Sequence, residues 1–363
     1  MILYVLIIIF ALCFLPLRID RNINYKKIWL IVFFSTLTIV SALRSYKVGV
    51  DSIQYNEAFN IISSLDFSQT TTLRYETGFF YLVKLISLIS ENAQILFVVT
   101  SLIIIPSVGL FIYRYSKNVV FSSLLYILFN IYFFHLTGMR QSLALVLLLY
   151  AYNFAIKGKN IRFIMLVIFS TFFHSSAIIF IFYPIIKKFT YKKSTYITYI
   201  AISILSFIFL KSLFINITQI LGKYGGYIDS KDFGVSNYFG ALFQYLLTLS
   251  VYTFCHFKYN KSSNSEHNDE DEKTKSMLQL LGLDAICQIM AMKMNIIGRM
   301  HHYFWIYAII LIPNIISIEK KAKNRLLLYI FILMLAIIYW LTIAIYRPEW
   351  NGVIPYIPFW KVQ

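Results

Sequence analysis

Apolar residues in this chain arrive in runs of roughly 15 to 20, the length of helix that crosses ~30 Å of hydrocarbon. The runs fall at 2–17, 28–43, 77–90, 94–113, 119–136, 141–156, 161–173, 175–187, 194–214, 237–257, 276–297, 303–318 and 325–346. Inside a bilayer each backbone N–H and C=O must be bonded within its own segment, so runs of this kind are helices. With 59% hydrophobic and 13% charged residues, the chain lacks the charge that a soluble domain of 363 residues needs on its surface. The expectation is an all-α, polytopic transmembrane helical bundle of roughly 11 to 13 spans or half-spans, forming a single integral membrane domain over 1–363. No repeat of 20–50 residues is visible, so neither a solenoid nor an inverted repeat is supported.

Lys and Arg outnumber Asp and Glu by 33 to 16. In a soluble protein such an excess points to nucleic acid. Here it lies in short loops between apolar runs, where it orients the chain, and no nucleic-acid partner is expected. Arg18–Lys27, Arg114–Lys117, Lys157–Arg162, Lys187–Lys193, Lys258–Lys275 and Lys320–Arg325 hold 21 of the 33 cations, and the positive-inside rule makes them cytoplasmic. Stretch 258–275 includes NSEHNDEDEKT (264–274), whose five acids read as a solvated linker rather than a metal site. Loop 44–76, the surroundings of Arg140, His174 and Arg299, stretch 211–237 and the tail from Arg347 then face outward. One step does not close. Residues 77–113 look like two spans, whereas the charge rule requires an odd number of crossings, so 77–90 is re-entrant or tilted, or 53–65 dips into the membrane. Residues 1–17 lack a basic start and an A-x-A site, so they read as a retained span. Cys13, Cys255 and Cys287 show no metal spacing and give no disulfide framework.

The unusual polar residues collect on the outward side. Loop 44–76 opens on Arg44 at a span end and continues through Gly49, Asp51 and Tyr55 to Glu76. Carboxylates near an interface either pair or do chemistry. In TGMRQSLAL (137–145), Arg140 and Gln141 open an apolar helix, whose free amides and partial positive charge suit an anion; the guanidinium fork matches phosphate oxygens. The alternative is an Arg140 paired with Asp51 or Glu76 to hold helices together. In FFHSSAIIF (172–180), His174 and Ser175 interrupt an apolar stretch. In IIGRMHHYFWIY (296–307), Arg299 and Tyr303 are four apart and share a helical face; His301 and His302 are about 100° apart, which is poor zinc geometry. The tail YRPEWNGVIPYIPFW (346–360) offers Arg347, Trp350 and Tyr356, either as an interfacial belt or as faces that stack on sugars.

Arginines can neutralise a diphosphate leaving group without a metal, and Asp51, Glu76 or His174 can take a proton from an attacking hydroxyl. This inventory fits glycosyl transfer from a lipid diphosphate, with no metal and no cofactor. The order RSYKVGVDSIQY, ETGF, GMRQSLAL, FHSSA and GRMHHYF, spread from about residue 41 to about 356, resembles the EpsG family of Wzy-type polysaccharide polymerases. The resemblance implies a multi-pass enzyme of the bacterial inner membrane that polymerises repeat units of O-antigen, capsule or exopolysaccharide carried on undecaprenyl diphosphate. Its partners would be that lipid-linked oligosaccharide, membrane lipid, a chain-length regulator and a flippase. It also implies functional roles for Arg44, Gly49, Asp51, Tyr55, Glu76, Arg140, Gln141, His174, Ser175, Arg299 and Tyr303. Thr137 and Gly138 stand where the family often has an Asn before its Arg-Gln pair. A flippase of the same lipid would show internal symmetry and charge within its spans, but mid-span charge is sparse here, with Lys84 and Lys293 the main exceptions. An O-antigen ligase would carry one large outer loop, and a sugar acyltransferase would need a deeply placed His.

Overall fold

A computed structural model describes residues 1–17, 19–69, 75–189, 191–221, 238–262 and 269–362. Arg18, 70–74 of the first long loop, 222–237, and 263–268 of the acidic linker lie outside the described residues. The helices are α1 (Ile2–Phe14), α2 (Ile23–Ala42), α3 (Ser52–Ser64), α4 (Thr77–Ser87), α5 (Gln94–Tyr115), α6 (Val119–Leu128), α7 (Ile131–Thr137), α8 (Met139–Ile156), α9 (Asn160–Thr171), α10 (Tyr183–Lys188), α11 (Lys193–Leu221), α12 (Tyr238–Ser262), α13 (Asp269–Ala291), α14 (Asn295–Gly298), α15 (His301–Trp305), α16 (Ala308–Ser317) and α17 (Ala322–Tyr346). No strand occurs among the described residues; one antiparallel bridge joins Arg44 to Pro358. The chain is an all-α polytopic bundle.

Among the described residues six helices are long and apolar enough to cross a membrane, and α6 with α7 forms a pair bent by 54°, a broken span or a re-entrant loop. That is fewer full spans than apolar runs, because several runs are broken. The bend falls at Asn130, whose left-handed backbone (φ 61°) interrupts the helix. The run through His174 breaks into the 12 residues of α9, a 3-10 stretch (Ser175–Phe182) and the short α10. Helix α4 has only 11 residues, about 16 Å of rise, half of a hydrocarbon core. Across 77–113 only α5, with 22 residues, is long enough to cross. By length, 77–113 therefore holds one helix able to cross.

The chain divides into two compact units, Met1–Ile181 with Leu326–Gln363, and Phe182–Arg325. In the second unit α11 and α12 both pack on α13, and α12 and α13 pack on α16. Tyr196 stacks on His256 at 4.2 Å, and the Tyr191 hydroxyl lies 2.8 Å from its Nδ1. In the first unit the principal pairs are α2 with α5 and α8 with α9, while α3 packs on α4. Lys84, within an apolar run, donates to the Ser63 carbonyl at the end of α3 at 2.8 Å and so ties those two short helices together.

Arg44 corrects the sequence reading. Instead of facing a ligand at the membrane edge, it is 1% exposed. Its Nη1 donates to the Ser41 carbonyl and, at 3.0 Å, to the Ser41 hydroxyl; Nη2 donates to the Leu136 carbonyl at 3.1 Å. The guanidinium lies 4.8 Å from the Phe97 ring. Ser41 and Leu136 end α2 and α7, where unsatisfied carbonyls give a helix its negative pole. Two helix ends converge on one cation, which explains how a buried charge is tolerated with no carboxylate bonded to it among the described residues. Burial pulls Arg44 down to about 10, so it stays charged at neutral pH.

The same place anchors the C-terminal tail. Ser45 N–H donates to Ile357 O at 2.8 Å, Phe359 N–H to Leu43 O at 2.9 Å, and Gly49 N–H to Gly352 O at 2.8 Å. Thr137 Oγ1 donates to Asn351 O at 2.7 Å. Gly49 adopts φ +106°, and a Cβ there would lie 2.7 Å from the Leu136 carbonyl oxygen. Only glycine fits that turn. Arg44→Lys keeps the charge but cannot reach both helix ends, leaving a buried carbonyl unsatisfied at a cost of about 1–3 kcal/mol. The purified variant should melt several degrees below wild type in detergent; equal melting temperatures would refute the clamp.

Candidate functional site

Four segments far apart in the chain meet around the Arg140 guanidinium in the first unit. Arg140 is the second residue of α8, which restarts at Gly138 after α7 ends. Its Nη1 forms an ion pair with Oε2 of Glu76, the residue that precedes α4. The other Glu76 oxygen, Oε1, accepts the Ser175 N–H at 3.3 Å. The Tyr55 hydroxyl, one turn into α3, bonds the same guanidinium. Tyr75 and Phe79 lie against it at 4.9 and 6.0 Å from their ring centroids, within cation–π range.

Local sequence brings the segments close. The Gly78 N–H donates to the Phe172 carbonyl at 2.9 Å, and a Cβ on Gly78 would lie 2.6 Å from that oxygen. The ETGF motif thus lets α4 begin directly against the turn that carries His174 and Ser175. His174 holds that turn, its N–H donating to Ser170 O at 3.1 Å while Nδ1 lies 2.8 Å from Ser176 Oγ. Asp51 sits at the start of α3, one turn before Tyr55, and their charges interact. Burial pushes the Tyr55 phenol up to about 12, so it remains neutral and accepts from Arg140.

This geometry leaves unspent capacity at a partly open position. Arg140 and Glu76 side chains are 22% and 20% exposed. Arg140 Nε is buried and has no hydrogen-bond partner among the described residues. The ion pair that the sequence allowed as a purely structural alternative is present, and it holds the guanidinium rather than consuming it. Such an arrangement can receive an anion by two or more N–H donors of one planar group. Gln141 is 3% exposed and faces inward from the same turn.

Other expected residues lie elsewhere. Arg299 and Tyr303 belong to the second unit and do not share a continuous helical face: the helix breaks at 299–300, leaving Arg299 exposed and Tyr303 buried. Tyr356 spends its hydroxyl on the Val40 carbonyl at 3.0 Å and meets Tyr4 edge-on at 6.2 Å, so it anchors the tail instead of offering a free face. Arg347 is exposed and pairs with Glu349 at 3.5 Å, with half-buried Trp350 beside it. The sequence reading passed over Asp284, a fully buried carboxylate bonded to His301. Its signal was a lone acid inside the run 276–297. It also missed His135, buried with Nδ1 at 2.8 Å from the Tyr126 hydroxyl. Among the described residues no three His, Cys, Asp or Glu side chains converge as a metal site.

No curated protein and no solved structure matches this chain. The sequence pattern of the EpsG family matches residues 27–357, and that span contains every segment of the Arg140 cluster. A polytopic helical membrane protein whose family motifs fold onto one guanidinium is what these observations describe, and the chain belongs to the EpsG family, the family of Wzy-type polysaccharide polymerases.

Proposed function

We propose that the Arg140 cluster binds the diphosphate of a lipid-linked oligosaccharide, and that the chain polymerises such units into a surface polysaccharide at the outer face of the bacterial inner membrane. One observation carries the reading: Tyr55, Glu76, Arg140 and Ser175, each from a different family motif, are bonded into a single network. Undecaprenyl diphosphate is the carrier that the family implies, and O-antigen, capsule and exopolysaccharide are the products it would yield. A flippase and a chain-length regulator would act beside it.

Breaking the anomeric bond leaves negative charge on the departing diphosphate. A cation already fixed in place stabilises that charge without reorganising. Tyr55 and Glu76 fix the guanidinium, which stands partly exposed where a phosphate can meet it. Both Glu76 oxygens are engaged, which argues for aiming Arg140 and the Ser175 amide rather than for taking a proton. Asp51 and His174 stand on the same cluster as proton acceptors from the sequence reading. Arg299 keeps its proposed role toward phosphate as an exposed cation of the second unit, with Tyr303 buried behind its turn. Arg347 and Trp350 remain proposed sugar contacts.

Arg140→Ala should stop polymerisation, leaving single repeat units on the cell surface, and Arg140→Lys should shorten chains while protein stays at its normal level in the membrane. The loss in turnover expected for one leaving-group donor is roughly 100-fold or more. Wild-type chain lengths from Arg140→Ala on a glycan gel would end the assignment. Gly78→Val should give the same phenotype without touching a charged residue, because its side chain cannot fit against the Phe172 carbonyl. For topology, in a cysteine-free background, an impermeant maleimide applied outside should label Glu91→Cys and spare Lys157→Cys. Labelling of both from one side would contradict the outward placement.

A further inference from the structure

Along the helix that carries Arg140 runs an open apolar line that the ion-pair network does not use. From Arg140 to Ile156, α8 is buried except at Arg140, Leu147, Tyr150, Asn153, Phe154 and Ile156. Arg140, Leu147 and Phe154 recur every seven residues, a spacing that drifts only about 20° per step around a straight helix. They therefore form one line down α8, with Tyr150 beside it. Leu147 stands about 10 Å and Phe154 about 21 Å along the axis from Arg140. Helices α5 and α9 both pack on α8 and border this line. On the α5 side the Tyr115 hydroxyl donates to Asn153 Oδ1 at 3.0 Å, and Ser107, Leu110 and Arg114 line a hollow with Leu149 and Tyr150. On the α9 side the Arg162 guanidinium lies 5.8 Å from the Phe154 ring centroid. The three helices enclose a furrow the width of one helix face, with a cation at one end and apolar side chains beyond it. All of it belongs to the first unit, and α8 is among the helices able to cross a membrane, so the furrow runs through hydrocarbon depth.

We propose that this furrow holds the start of the tail of a single-chain lipid diphosphate whose head group sits on Arg140. The proposal rests on the diphosphate reading of Arg140 and adds where the lipid part lies and which kind of lipid fits. An amphiphile needs opposite charge at its head and apolar contact directly beyond it, and α8 supplies both on one face. A diacyl phospholipid brings two chains side by side, whereas the borders set by α5 and α9 admit one. A polyprenyl chain is single. Hydrocarbon already surrounds the furrow, so the gain over bulk lipid comes from close packing rather than from the hydrophobic effect. Leu147, at the middle of the line, is the residue that sets how well the tail packs.

The test places full-length protein in nanodiscs of diacyl phospholipid and irradiates it with a polyprenyl diphosphate that carries a diazirine within its first isoprene units. Wild-type protein should be labelled on α8 near Leu147 and on the adjoining turns of α5 or α9, and excess unlabelled polyprenyl diphosphate should remove the label. Label that the competitor does not remove, or that falls equally on Ile338 of α17, which is 60% exposed, is boundary lipid and overturns the furrow. Leu147→Trp fills the line. Its KM for repeat units on a geranyl tail, divided by its KM for the same units on the full tail, should fall roughly 3-fold or more below the wild-type ratio. An unchanged ratio in folded protein refutes the proposal, and if the variant does not fold the wild-type labelling decides. Elongation of repeat units without competed label on α8 overturns the furrow alone. Competed label on α8 in a protein that elongates nothing keeps the furrow and removes the polymerase reading.

Discussion

A guanidinium buried among helix ends holds the first unit in register. Among the described residues Arg44 has no carboxylate partner; its charge is met by the carbonyl poles of α2 and α7, by the Ser41 and Ser101 hydroxyls and by the face of Phe97. A cation in this setting is tolerated only while those groups stay where they are. Because the Leu136 carbonyl also accepts from Ser52 Oγ at 3.3 Å, the start of α3 is tied to the end of α7 through the same oxygen. Residue 138 then turns the chain into α8. The positions of Tyr55 on α3 and Arg140 on α8 are thus consequences of one capped helix end.

Upon that frame the Arg140 cluster is assembled from the opposite principle. Arg44 is buried and closed, whereas Arg140 is paired with a carboxylate and partly open. A guanidinium neutralised by Glu76 can wait at a membrane boundary without a ligand. It can then share its donors with a phosphate, which carries more charge than a carboxylate. Glu76 also receives the Ser175 amide, so the same carboxylate that restrains the cation fixes the turn beside it.

Much of the helical class was legible in the apolar runs, since hydrocarbon leaves backbone groups no other solution. What the runs did not reveal was where they break. Asn130 adopts a left-handed backbone within a run that reads as one span, and α4 stops after 11 residues although apolar sequence continues to Ile89. Such breaks depend on tertiary partners rather than on hydropathy. The candidate site was legible as motifs, and Arg140 with Glu76 was among the pairings considered. The contrast between Arg44 and Arg140 was not, because both are arginines near span ends and their difference lies in which carbonyls surround them. For Arg299 and Tyr303 the error was geometric: an i, i+4 spacing implies a shared face only on an unbroken helix, and this one turns at 299–300.

The Glu76–Arg140 and Asp284–His301 pairs differ in a way that bears on their chemistry. Between Glu76 and Arg140 no proton can usefully move, because a guanidinium holds its protons throughout the physiological range; that pair can only place charge. Asp284 and His301 form a buried pair in which the carboxylate sets the orientation of the ring through Nδ1. A chain built of apolar helices keeps few buried polar side chains, and each retained one must offset its desolvation by bonding. Both pairs meet that demand, the Glu76–Arg140 pair at a partly exposed position and the Asp284–His301 pair in a closed one.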